Sequence, residues 1–216
     1  MPAGIEIYNT SGVIQISSST PNWCFVQKII LSTGFANQEI TITANSPLIF
    51  INTQNNVLVY PSYKNGTTHK FKIFKAYYNN NQPATLYVFD RITNPSHNVG
   101  FEVYGSDGTS CYSADNKPLK ISYIFNIPDL GGDAFQHNHN FALPAGNWAA
   151  MCAVPRYETR YINDNIENAE YLLGDCLQVT NNNINVNCIQ LYPTSMSLGA
   201  VNPYGGQLLV TDVTGL

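Results

Sequence analysis

The chain has 216 residues and a net charge of −4; 44% of its residues are hydrophobic and only 11% charged, against about 25% charged in a typical globular protein. Its ten Lys and Arg are scattered, which leaves no basic patch for nucleic-acid phosphates. The longest apolar runs, such as residues 29–31 and 47–51, fall far short of the ~20 residues of a membrane-spanning helix, so membrane insertion is not expected.

The length allows one large β domain or two small ones. Polarity comes from Asn, Thr, Ser and Gln, the usual outer surface of sheets. A charge-poor surface also suits parts that stay inside an assembly, because interface cores are depleted of charge. The N-terminus lacks the charged and apolar regions of a signal peptide, which points to synthesis in the cytoplasm.

Apolar and polar residues alternate with period two along most of the chain, the mark of half-buried strands. Ile5, Ile7 and then Val13, Ile14, Ile16 flank the turn residues Asn9-Thr10-Ser11-Gly12. Strands follow at 25–31, 38–43, 48–52 and 57–60, a turn at Asn65-Gly66, and strands at 70–78 and 86–89, with a loop over 79–83 between them. In the second half, Phe101, Val103 and then Cys111, Tyr112 flank Gly105-Ser106-Asp107-Gly108. Further strands are predicted at 119–126, 147–154, 171–179, 184–192 and 207–213. The single helical candidate is 164–173, with Asp164 as cap, Glu167 completing a box-like start, and Ile166, Ala169 and Leu173 as its apolar stripe. Twelve Pro and fifteen Gly punctuate the chain, which suits a sandwich or barrel.

The clearest signal is self-similarity. Gly4-Ile5-Glu6-Ile7-Tyr8 with Gly12 reads against Gly100-Phe101-Glu102-Val103-Tyr104 with Gly108, and Pro21 and Pro118 follow at nearly the same distance. A third echo, Asn202-Pro203 leading into residues 206–210 and Gly215, closes the chain. A hairpin is not stable alone, so each copy must seed a larger sheet. The expected fold is all-β: two tandem β-sandwich-like modules from an internal duplication, residues 1–97 and 98–216, with at most one short helix. Glu6 and Glu102 read as solvated charges that blunt an edge strand.

Five cysteines, an odd number without CxxC spacing, do not form a disulfide framework or zinc ribbon. Cys176 and Cys188 lie symmetrically about Asn182 in a predicted hairpin, where they would face each other as packed thiols or as a cross-strand disulfide. No nucleophile elbow, P-loop, HExxH or dinucleotide loop appears, so the chain reads as a non-enzyme without a cofactor. His137-Asn138-His139 is the one local motif with metal chemistry: on a strand both imidazoles would share a face. The bland alternative is a polar loop over 136–140, with no metal bound. Tyr63, Tyr78, Tyr157 and Tyr161 are the candidate recognition residues, because Tyr beside Asn suits sugar or protein contacts.

Gly100-Phe101-Glu102-Val103-Tyr104 with Gly108, followed by Tyr112-Ser113 and Pro118-Leu119-Lys120-Ile121, resembles a segment recurring in small tail proteins of tailed bacteriophages; residues 4–18 resemble its N-terminal version. Ser113 stands where those proteins often carry Asp. His-x-His pairs similar to His137 and His139 hold iron in some trimeric phage fibres. The resemblance implies a structural virion component near the tail tip or fibres, partnered by other tail proteins and by copies of itself. The alternatives are a receptor-binding module for host-surface glycan or protein, and a capsid decoration protein.

Overall fold

In the computed structural model, the described residues are 6–8, 14–17, 21–34, 37–76, 82–91, 101–128, 138–154, 157–164, 167–193 and 206–216. Those residues form strands and turns and contain no helix. The strands are β1 (Glu6–Tyr8), β2 (Ile14–Ser17), β3 (Trp23–Leu31), β4 (Gln38–Thr43), β5 (Leu48–Thr53), β6 (Val57–Asn65), β7 (Thr68–Lys75) and β8 (Ala84–Arg91) in the first half. The second half holds β9 (Glu102–Tyr104), β10 (Ser110–Ser113), β11 (Ile121–Ile127), β12 (Asn138–Ala142), β13 (Trp148–Cys152), β14 (Tyr157–Asp164), β15 (Glu167–Val179), β16 (Asn183–Pro193) and β17 (Gly206–Asp212).

Two antiparallel sheets carry the fold in a sandwich-like arrangement. One has six strands in the order β11-β17-β13-β5-β8-β3, and the other runs β12-β16-β15-β6-β7-β4 with β14 added to β15. Read outward from the middle, β5-β8-β3 matches β13-β17-β11, and β6-β7-β4 matches β15-β16-β12. Each half of the chain thus lays three strands into each sheet in the same order, as an internal duplication requires. The correspondence reaches single hydrogen bonds: Ala44 N–H donates to the Thr67 carbonyl as Leu143 N–H does to the Asn182 carbonyl, both at 2.8 Å. The two sets join edge to edge through Ile51 opposite Ala150 in one sheet and Val57 opposite Leu177 in the other.

Alternation on these strands makes two cores. Ile51, Leu86, Val88, Ala150, Leu208 and Val210 on one sheet meet Ile42, Val57, Ile73, Leu177, Ile184 and Val186 on the other, and all are buried. The opposite face of the six-stranded sheet also carries apolar residues, and the sheet curls over them. Cys24 at the start of β3 bridges Pro118, just before β11, flanked by bonds from Phe25 N–H to the Lys117 carbonyl and from Leu119 N–H to the Trp23 carbonyl. This curl encloses Phe50, Tyr87, Phe89, Ala149 and Val213, with Leu216 packed against them. Phe50 meets Phe89 edge to face at 5.5 Å, the arrangement that aromatic quadrupoles favour.

The Asn-rich composition has a structural use. On the outer face of the second sheet, Asn140 donates to Asn185 at 2.9 Å and Asn185 to Gln178 at 2.9 Å. Asn187 donates to Asn56 and the Gln178 amide to the Gln54 carbonyl, so the ladder spans the junction between the halves with neutral groups.

Three expectations change. The helix expected over 164–173 is instead β14 and β15, paired from Tyr157 opposite Gly174 to Asp164 opposite Glu167. The local cap signal loses to long-range pairing, because Leu172 and Leu173 are also bound on their other side by β16. Residues 136–140 are not simply a polar loop, since β12 starts at Asn138 and pairs with β16. Cys176 and Cys188 do not face each other: Cys176 lies opposite Asn187 and Cys188 opposite Asp175. That one-residue offset puts the thiols on opposite faces of the ladder, and all five cysteines are buried thiols outside any disulfide.

Candidate functional site

The two halves meet well in one sheet and poorly in the other. The matching bonds of Ala44 and Leu143 make Thr67 the counterpart of Asn182. Ser62 then corresponds to Leu177 and Leu172 to Val57, so strict twofold symmetry would add a rung between Ser62 and Leu172. That rung is missing. Two bulges flank this position: Ser62 is the extra residue of β6 against β7, and Leu191 is the extra residue of β16 where it pairs with Leu172 and Leu173 of β15. Proline has no N–H for a ladder, and a bulge bends its strand away from its neighbour. Beyond the single rung of Val57 and Leu177, β6 and β15 splay, and a cleft of about 350 Å³ opens at the seam.

The cleft is lined by Ile51, Ala150 and Cys152 from the six-stranded sheet and by Val57, Val59 and Leu177 from the splayed strands. Trp23, Ser46, Pro47 and the exposed Ala153 also line it. Besides the Cys152 thiol, His69 and Asp175 bring titratable side chains to the lining, at 7% and 2% exposure. His69 shares the inward face of β7 with Phe71, on which it stacks with ring centres 6.5 Å apart. Its Nε2 is buried without a hydrogen-bond partner among the described residues.

One wall is held by a buried carboxylate outside the cleft. Asp90 on β8 accepts the Asn45 N–H at 2.8 Å and the Ser46 N–H at 2.6 Å, and Asn45 Nδ2 donates to the Arg91 carbonyl. The Trp23 indole donates to the Ser46 carbonyl at 2.8 Å. The segment entering β5 is thereby tied to both β8 and β3.

No protein-family model, curated protein or solved structure matches the chain. Its own internal repeat is the remaining comparison. In both signature hairpins the tyrosine hydroxyl donates to the glutamate two residues before it, Tyr8 to Glu6 and Tyr104 to Glu102. These bonds raise both phenol pKa values. Both hairpins carry a bulge as well, and β2 lies beside β10. Glu6, which is exposed, and Glu102, which is half-buried, are therefore each held by a tyrosine of their own strand. Ile7, Tyr8, Phe101 and Tyr104 are exposed, whereas Val103 is buried.

The sequence-predicted site residues are not gathered into one place. His139 is half-buried on β12 opposite Val186, and His137 lies outside the described residues. No group of three or more His, Cys, Asp or Glu suited to a metal occurs among the described residues. Tyr63 is half exposed on β6 just past its bulge. Tyr157 and Tyr161 stand on β14 opposite Gly174 and Glu170, and Tyr78 lies outside the described residues. The sequence reading missed His69, Asp175 and Asp90. The parity of β7 was the available signal for the first, since His69, Phe71 and Ile73 alternate with Lys70 and Lys72. Burial gives the thiols a common character: it pushes Cys24 up to about 11 and raises Cys111 and Cys176.

Proposed function

We propose that the protein is a structural component of a bacteriophage tail, built to assemble with copies of itself and with other tail proteins. The observation that carries this reading is the pair of strands ending the six-stranded sheet. Among the described residues, the outer sides of β3 and β11 are paired only where Cys24 meets Pro118, and their exposed residues include Val26, Ile30 and Ile124 at 47%, 67% and 59%. Long free edges with apolar side chains are templates for pairing with another chain. The low charge and the exposed aromatics of the repeated hairpins support the same reading, and the hairpin resemblance supplies the tail context. The reading includes no catalytic step and no cofactor.

Light scattering on the purified chain is expected to give an oligomer, and Ile30→Lys with Ile124→Lys is expected to dissociate it without unfolding. A wild-type monomer at high concentration would count against assembly. Immunogold labelling of virions is expected on tails; gold on capsids alone would favour a decoration protein instead. Host-surface recognition is the second reading, drawn from Tyr63 beside the β6–β7 turn. A monomer that adheres to host cells and blocks adsorption would favour it.

A further inference from the structure

We propose that the seam cleft is a binding site for a small neutral molecule with an apolar body and a hydroxyl head. Its volume of about 350 Å³ lies in the range of small-molecule pockets, roughly 300–1,000 Å³, and suits a body of about two fused rings. The lining is aliphatic where β6, β15 and the six-stranded sheet meet, which favours an apolar body. Two features restrict the head group. His69 Nε2 is buried and lacks a hydrogen-bond partner among the described residues, a costly state that a ligand hydroxyl relieves. Asp175 is almost wholly buried on the same lining, and its carboxyl disfavours an anionic head at close range. The cleft belongs to the junction of the two halves, because its lining runs along β6 from Val57 to Pro61 and along β15 from Leu177 to Asp175, beside the one rung that joins them.

The experiment uses the full chain and three probes of one size: 2-naphthylmethanol, 2-methylnaphthalene and 2-naphthoate. Binding is read by calorimetry and by the fluorescence of Trp23, which lines the cleft. The alcohol is expected to bind saturably, one per chain, about 10-fold more tightly than the hydrocarbon or the carboxylate, because a site built for a hydroxyl rejects analogues lacking it. His69→Phe is expected to bring the alcohol down to the level of the hydrocarbon while leaving hydrocarbon binding intact. Val59→Trp, which fills the cleft, is expected to abolish binding of all three. Ala153→Trp does so from an exposed position, which keeps the test decisive should the buried substitution perturb folding. Circular dichroism verifies the fold of each variant. Failure of the folded wild type to bind the alcohol saturably would overturn the proposal. So would equal binding by Ala153→Trp, or naphthoate binding as tightly as the alcohol.

Discussion

Asp90→Ala removes a single carboxylate and tests how the wall of the cleft is built. In the native chain the two carboxylate oxygens accept the N–H groups of Asn45 and Ser46 at 2.8 and 2.6 Å, and the residue is 7% exposed. Hydrogen bonds to charged groups contribute about 1.5–3 kcal/mol each, and a buried donor left alone costs a comparable amount. The Ser46 region is half-buried, so water reaches part of the vacated site. The expected loss is therefore about 2–4 kcal/mol and not the full sum of both bonds. Asp90→Asn keeps one acceptor oxygen and should lose about half as much. Urea unfolding followed by the fluorescence of Trp23 and Trp148 measures both variants. The Trp23 indole donates to the Ser46 carbonyl, so its native emission should also shift in Asp90→Ala. A loss below about 0.5 kcal/mol, within the range of ordinary surface substitutions, would refute the reasoning. Asparagine proving as damaging as alanine would show that charge, and not the count of acceptors, holds the segment.

Phe50→Ala, at a fully buried residue packed edge to face on Phe89, should cost about 3–5 kcal/mol in the same assay. Gly146→Ala would bring a methyl within 2.7 Å of the Trp148 ring; because that ring is pinned by its bond to the Pro144 carbonyl, the loss should be about 1–3 kcal/mol. Gly66→Ala meets no atom within 4 Å, but the backbone there has φ +58°, so a loss of about 1 kcal/mol is expected from conformation alone. The raised Cys24 thiol makes stability fall at high pH: the unfolded thiol ionises near 9.0 while the folded one holds its proton to about 11. Its contribution is present below the unfolded value and is lost as pH rises through that window; denaturation midpoints at pH 8 and pH 10.5, compared with those of Cys24→Ser, check it.

How far the residues alone carry the fold is seen at particular strands. Strand β4 was legible to the residue because Ile40-Thr41-Ile42-Thr43 alternates and its isoleucines face a core. The strands β5, β8 and β17 were legible within a residue or two, being bounded by turn residues. β12 was missed because His137-Asn138-His139-Asn140 has polar residues on both parities; Phe141 and pairing with β16 make it a strand. The helix expected over 164–173 came from a cap signal that acts over one turn, and a ladder on both sides of β15 outweighs it. The cysteine hairpin was legible, but its register was not. A turn one residue longer or shorter exchanges the faces of every following side chain, and the pairing of Asp175 with Cys188 is set by that detail.

The sequence by itself determined the all-β class, most of the strands and the duplication, because alternation, turn chemistry and self-similarity are written locally. Only the tertiary structure decided that both halves share two sheets, that one sheet curls until Cys24 meets Pro118, and that β6 and β15 part beyond the rung of Val57 and Leu177. Those outcomes depend on which strand edges meet and in what register, a choice made between segments far apart in the chain. His69 and Asp175, on strands from different halves, line one cleft for that reason alone.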